Sequence, residues 1–317
     1  MKQFTMDSLQ STIEQKIKDK ALELGFDACG IAKATAVSSN HREQLRDWLD
    51  KGYAAGMQYM HNHEDKRTDP TLLVEGAKSV ICVALNYFPS TFRKPHDPYF
   101  SYYAYGEDYH DVMKHKLREL ATYINDNICP IEGRQFTDSA PVLERYWAQQ
   151  AGIGFIGKNT QLIIPGKGSY FFLGELIIDI ELIPDEPMSN KCGACRNCLT
   201  YCPSKALVYP NGLNANSCIS YQTIENRESF ISEPALSAIG NQVYGCDICQ
   251  QVCPHNRNAK GNTTPELQPS EAFLKLDRQA LENLAIDEFR AVFKKSAIKR
   301  AKYEGLKRNI EVLKSKI

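Results

Sequence analysis

Apolar residues recur at three-to-four spacing over Leu9, Ile13, Ile17 and Ala21, with Asp7 or Ser8 placed to cap the run and Gly25 to close it. That pattern predicts an amphipathic helix. Phe26 to Ala32 and Ser79 to Asn86 read as strands, the second almost continuously apolar, as a strand covered on both faces would be. Between them Leu45, Trp48 and Leu49 mark a second helix, ended by Gly52. Val112, Met113, Leu117, Leu120 and Ile124 keep helical period through a long helix from Asp108 to Asn127. Arg134 to Thr137 makes a third strand, followed by a helix from Pro141 to Ala151 with proline in its first turn and Ser139 or Asp138 as its cap. Gln161 to Ile164 and Ser169 to Ile180, separated by Pro165-Gly166-Lys167-Gly168, predict a β-hairpin.

These elements make an α/β (α+β) unit over residues 1–185. Pro184 to Asn190 reads as a linker, and the composition changes behind it: eight of the eleven cysteines fall between Cys192 and Cys253. A second unit is expected over residues 186–260, then a helical tail over 261–317. The chain has 317 residues, 43% apolar and 24% charged, with 38 basic residues balancing 38 acidic ones. Such a chain buries its own core and is neither disordered nor a uniformly basic nucleic-acid coat. No apolar run approaches the roughly 18 residues that span a bilayer. Met1 to Lys20 carries no stretch of signal-peptide character. A cytoplasmic protein with no membrane partner is therefore expected, and in a reducing compartment clustered thiols are metal ligands or redox groups rather than disulfides.

The thiols have a definite spacing. Cys192-x2-Cys195-x2-Cys198-x3-Cys202-Pro203 is followed by Cys246-x2-Cys249-x3-Cys253-Pro254, with Cys218 upstream. This is the spacing of bacterial two-cluster ferredoxins, in which the fourth cysteine of a run ligates the other cluster. One 4Fe-4S cluster is assigned to Cys192, Cys195, Cys198 and Cys253, and the second to Cys202, Cys218, Cys246 and Cys249. Structural zinc also uses CxxC pairs, but does not require the x2, x2, x3-Cys-Pro series twice. Cys29, Cys82 and Cys129 lie beside apolar residues without partner spacing and read as buried, inert thiols.

Two other motifs mislead. Gly152-x-Gly154-x-x-Gly157 matches a dinucleotide fingerprint, and Gly152-x4-Gly157-Lys158 matches most of a phosphate loop. Both need a strand before the glycines and a helix after them, whereas here a helix comes first and a strand follows. Asn159 also stands where the phosphate loop places its hydroxyl.

With the double cysteine run, Thr137-Asp138-Ser139-Ala140-Pro141 and Gly154-Phe155-Ile156-Gly157-Lys158-Asn159 together, the chain resembles the epoxyqueuosine reductases over nearly its whole length. Tyr105-Gly106-Glu107-Asp108-Tyr109-His110, Leu173-Gly174-Glu175, Cys218-Ile219-Ser220-Tyr221 and Tyr244-Gly245-Cys246-Asp247 add to the likeness. The resemblance implies a cobalamin-binding domain, the cofactor in its base-off form, packed on a two-cluster ferredoxin domain. It implies reduction of epoxyqueuosine to queuosine in the anticodon loop of a tRNA. Asp138 takes the role of general acid, and its carboxyl is then expected to be buried or beside a like charge. Gly157, Lys158 and Asn159, with Ser220, Gln222, Thr223, Tyr244 and Gly245 around the clusters, are the expected cobalamin contacts.

Charge matters again at the end of the chain. Arg290 to Lys316 holds ten Lys or Arg and two Glu. A solvated helix face explains this, as does a phosphate-binding surface. With tRNA as substrate the second applies, through Lys294, Lys295, Lys299 and Arg300. A monomer fed by an external low-potential electron donor is expected. Two other classes share these features: a dehalogenase of small organohalides, normally exported behind a twin-arginine signal, and a plain ferredoxin-type carrier. The carrier leaves the 190-odd upstream residues unexplained.

Overall fold

In the computed structural model, which describes residues 11–210 and 212–315, four strands form one antiparallel sheet. They are β1 (Ala28–Lys33), β2 (Ser79–Asn86), β3 (Gly133–Phe136) and β4 (Phe171–Ile178), in the order β1-β2-β4-β3. β2 is buried along all but its last residue, because both faces are covered. On one face lie α1 (Ile13–Glu23) and the long α2 (Tyr109–Asn127), burying Ile17, Met113, Leu117, Leu120 and Ile124. On the other lies the short α3 (Glu144–Gln150) with Tyr146 and Trp147. Asp108 caps α2, accepting from the His110 N–H, and Thr12 caps α1. Asp7, Ser8 and Leu9, expected in that first helix, lie outside the described residues.

Three expectations are corrected. The helix expected from Pro141 starts at Glu144, after Leu143, and no side chain caps it. Asp138 is instead a left-handed residue, φ +45°, past the end of β3, and its N–H is taken by the Glu144 carboxylate. The expected hairpin keeps its turn, closed by an Ile164–Gly168 bridge, but its arms part. Leu162–Ile163 pairs with Phe155–Ile156, whereas β4 enters the main sheet between β2 and β3. Of the three lone cysteines only Cys82 is buried; Cys29 and Cys129 are half-buried.

The cysteine segments pack directly on this frame. Trp48 Nε1 donates to the Leu213 carbonyl at 2.6 Å, and the Gly56 N–H donates to the Tyr221 hydroxyl at 2.8 Å. Buried Gln250 and Asn256 bind Ser169 and Tyr87. Residues beyond 260 are helical but form no free tail. Phe273, Phe293 and Leu306 share a core with Phe100 and Tyr244, from the parallel pair Tyr99–Phe100 and Gln242–Tyr244. Arg93, stacked between the Phe100 and Phe273 rings, donates to the Phe273 and Leu276 carbonyls. In the terminal helix, Lys302–Lys314, Asn309 is fully buried and donates to the Thr223 and Val243 carbonyls, each at 2.8 Å.

Candidate active site and cluster ligands

Cys198 lies within electrostatic reach of Cys192, Cys195 and Cys253. Cys249 has the same relation to Cys246, Cys218 and Cys202. These are the two sets that the crossed ferredoxin spacing defines. Among the described residues no three His, Cys, Asp or Glu side chains close on a single-ion site. Burial pushes the Cys246 thiol up to about 12, against the Ile248 N–H, which favours the thiolate. Burial likewise raises Cys218, against the N–H groups of Tyr221 and Ser220. Iron supplies the positive charge that such thiols need to ionise. Lys158 steadies the first loop, its Nζ donating to the Gly193 and Cys195 carbonyls at 2.7 and 2.9 Å. Buried Asn159 reaches the Cys249 carbonyl at 3.4 Å, so the Gly-Lys-Asn segment touches both loops.

Asp138 stands apart from the thiols and is open: its side chain is 68% exposed, not buried as expected. Tyr109 donates to its Oδ2 at 2.6 Å, and His110 Nε2 lies 4.0 Å from the same oxygen. His110 Nδ1 bonds Asp108 at 2.7 Å, and Lys299 from the carboxyl-terminal segment reaches Asp108 at 2.9 Å. Burial alone would raise Asp108; hydrogen bonds from His110 and Lys299 hold it well below the usual carboxylate range. A second carboxyl, Glu144, stands beside Asp138 and accepts its N–H. Burial first, and the Asp138 charge second, push Glu144 up. Glu175 is fully buried on β4, neither carboxyl oxygen has a hydrogen-bond partner among the described residues, and burial holds it well above the usual range.

The other expected cofactor contacts are mostly occupied within the chain. Gln222 donates to Asn216 and accepts from Asn226, and Thr223 donates to the Ile219 carbonyl and accepts the Gly245 N–H. Tyr244, fully buried, donates to the Ala297 carbonyl. Gly157 is close-packed, since a Cβ there would meet Ile163 Cδ1 at 2.5 Å. Only Ser220 among these side chains keeps a hydroxyl without a hydrogen bond among the described residues. On the tail, Lys295 pairs with Glu107, Lys299 with Asp108 and Arg300 with Glu225, while Lys294 is exposed and makes no ion pair among the described residues. The sequence reading missed Tyr109, Glu144 and Glu175 as neighbours of Asp138. A lone carboxyl inside the apolar run Phe171 to Ile178 was the available signal.

Comparisons with known proteins agree over nearly the whole length. Residues 67–139 match the family described as "Epoxyqueuosine reductase QueG, DUF1730", and residues 191–256 match a "4Fe-4S double cluster binding domain". An epoxyqueuosine reductase of Cellulophaga algicola is 44% identical over 298 residues, 94% of this chain and 97% of the relative. The Escherichia coli K12 epoxyqueuosine reductase is 39% identical, covering 95% of this chain and 80% of its own. A crystal structure of epoxyqueuosine reductase with a tRNA-Tyr epoxyqueuosine-modified stem loop has a TM-score of 0.85 at 31% identity, over 95% of this chain and 80% of that one.

Proposed function

The chain belongs to the epoxyqueuosine reductase family, and from that premise we propose how its own residues carry the reaction. It is an oxidoreductase that reduces epoxyqueuosine to queuosine in the anticodon loop of tRNA, the last step in making that base. The epoxide oxygen leaves as water, which takes two electrons and two protons. The eight cysteines would hold two 4Fe-4S clusters, which would supply a path for single electrons from an external low-potential donor.

Cobalamin in its base-off form, when bound, supplies a low-potential metal centre that passes electrons into the C–O bond. The donor set fits it in part. The free hydroxyl of Ser220, two residues beyond the cluster ligand Cys218, suits the neutral amide rim of a corrin, while the Gly157 and Gly245 N–H groups are spent on the Gln161 carbonyl and the Thr223 hydroxyl. Lys158, Asn159, Gln222, Thr223 and Tyr244 act behind them by fixing the loops.

Asp138 is the general acid. An alkoxide is a poor leaving group, and an exposed carboxyl at the open side of the site protonates it as it departs. Tyr109 holds the oxygen that delivers the proton, and Asp108 orients His110 beside it. The tRNA backbone lies over Lys294, Lys295, Lys299 and Arg300, a reading supported by the contact of Lys299 with Asp108, which also bonds His110 beside Asp138. The protein works as a monomer.

The observation that carries this reading is the open Asp138 carboxyl set beside further carboxyls, in a chain that also gathers its eight spaced thiols into two sets. The test is mass spectrometry of nucleosides from tRNA bearing epoxyqueuosine, after incubation with the protein, cobalamin and a strong reductant. Queuosine must appear, and anaerobically purified protein must contain iron; zinc in its place, or no corrin uptake, sinks the proposal.

A further inference from the structure

The reduction draws its electrons from outside the chain, so a reduced carrier has to reach the thiol loops. The two loops differ in what they show to solvent. Around the second set, Gly245, Asp247 and Gln250 are buried and no residue from 242 to 250 is exposed. Around Cys192 and Cys195, by contrast, Lys191, Gly193, Ala194 and Arg196 are all exposed.

The exposed loop also carries charge of one sign. Residues 187–224 contain no Asp or Glu, and Lys158, Lys191, Arg196 and Lys205 make no ion pair among the described residues. These cations stand around one short helix, Asn197–Tyr201. Arg196 precedes it, and Lys205 Nζ donates to the Thr200 carbonyl in its last turn at 2.8 Å. Lys158 reaches the loop from the other side through the Gly193 and Cys195 carbonyls, and its Nζ lies 5.4 Å from the centre of the Tyr209 ring. Tyr201 is 61% exposed and Tyr209 52%. Open tyrosines among unpaired Lys and Arg have the composition of a contact surface. RNA phosphate is another anion that such a patch attracts. These residues, however, belong to the loop that carries the thiols, whereas Asp138 is joined through His110 and Asp108 to Lys299 on the tail.

Resting on the reading of the thiols as ligands of two electron-relaying clusters, we propose that this face docks the electron donor, and that the donor is an acidic one-electron carrier protein. Each encounter moves one electron. The carrier is oxidised by one, the iron held by the first thiol set is reduced by one, and no bond or proton changes hands. Two encounters supply one epoxide. Opposite charges speed each encounter, and the small contact area of such redox pairs, below about 1,200 Å², lets the spent carrier leave.

Lys191→Glu combined with Arg196→Glu tests the face, because neither side chain makes a hydrogen bond among the described residues. Reduced flavodoxin, an acidic carrier, is mixed anaerobically with the iron-loaded protein, and the bleaching of the iron–sulfur absorption is followed. At low salt the second-order rate should fall about tenfold or more in the double variant. Added salt should slow the wild type and leave the variant nearly unchanged. Photoreduced deazariboflavin, a small reductant without an acidic surface, should bleach both proteins equally and support equal conversion of epoxyqueuosine tRNA. A further readout needs no electron transfer: oxidised flavodoxin should show salt-sensitive amide shifts with the wild type and weaker ones with the variant.

An unchanged, salt-independent rate with flavodoxin overturns the proposal. Equal slowing with both reductants also overturns it, since the charges would then act on the clusters and not on the carrier. Loss of tRNA affinity in the variant would make the face an RNA surface instead. A wild type that takes electrons from flavodoxin in this salt-sensitive way but converts no epoxyqueuosine sinks the reaction and leaves the docking face standing.

Discussion

Asp138 holds its left-handed backbone at a cost of about 1–2 kcal/mol, a conformation that Asp and Asn tolerate better than other side chains. The Glu144 carboxylate on its N–H and the Tyr109 hydroxyl on its Oδ2 keep it there. Asp138→Asn therefore preserves the loop while removing the acid. Its conversion rate should fall by about 10²–10⁴, with corrin absorption and iron content unchanged. Gly245 is a second residue with no freedom to change. Its φ is +73°, and a Cβ would lie 2.1 Å from Ser101 Oγ, one residue before the cluster ligand Cys246. Gly245→Ala should destabilise the fold by more than about 1 kcal/mol, seen as a lower midpoint in thermal unfolding and a smaller yield of the second cluster. Asp138 itself was readable in its sequence segment. Its partners were not, because Tyr109, Glu144 and Glu175 come from three separate stretches that only the sheet and α3 bring together.

Elements were legible where one physical rule dominates. β2, α2 and α1 past Thr12 follow from apolar periodicity, and the crossed neighbourhoods of Cys198 with Cys253 and of Cys249 with Cys202 follow the cysteine spacing. The failures lie where rules compete. Pro141 looks like the first residue of a helix, but the Glu144 carboxylate is taken by the Asp138 N–H, so the helix begins later and the intervening residues present the acid. Gln161 to Ile164 looked like the partner of β4, yet β4 finds a longer partner on each side, β2 and β3. The terminal helix shows what periodicity cannot tell. Its buried Asn309 satisfies two backbone carbonyls of the cluster region, so Asn309→Leu leaves both without a donor. A loss of about 1–3 kcal/mol is expected, measured by urea unfolding and accompanied by weaker retention of iron.

For the whole molecule, zero net charge hides a local surface. Three of the four basic residues assigned to tRNA already face carboxylates, so phosphate must compete with Glu107, Asp108 and Glu225 for them. Lys294→Glu is then the cleanest probe, and Lys294→Glu with Lys299→Glu the stronger one. Both should weaken tRNA binding at low salt, and each reversal should lessen the slope of log affinity against log salt by about 1 or more. Equal affinity and slope would exclude this face. No helix among the described residues is long and apolar enough to cross a membrane.

The contacts of Arg308 and Asn309 also order events in time. Arg308 donates to the Gln222, Asn226 and Glu228 carbonyls, and Asn309 to those of Thr223 and Val243. These carbonyls flank Cys218 and Cys246, yet the groups that satisfy them lie 66 to 86 positions further along the chain. A nascent chain extended no further than the second thiol run therefore exposes its cysteine loops unfinished.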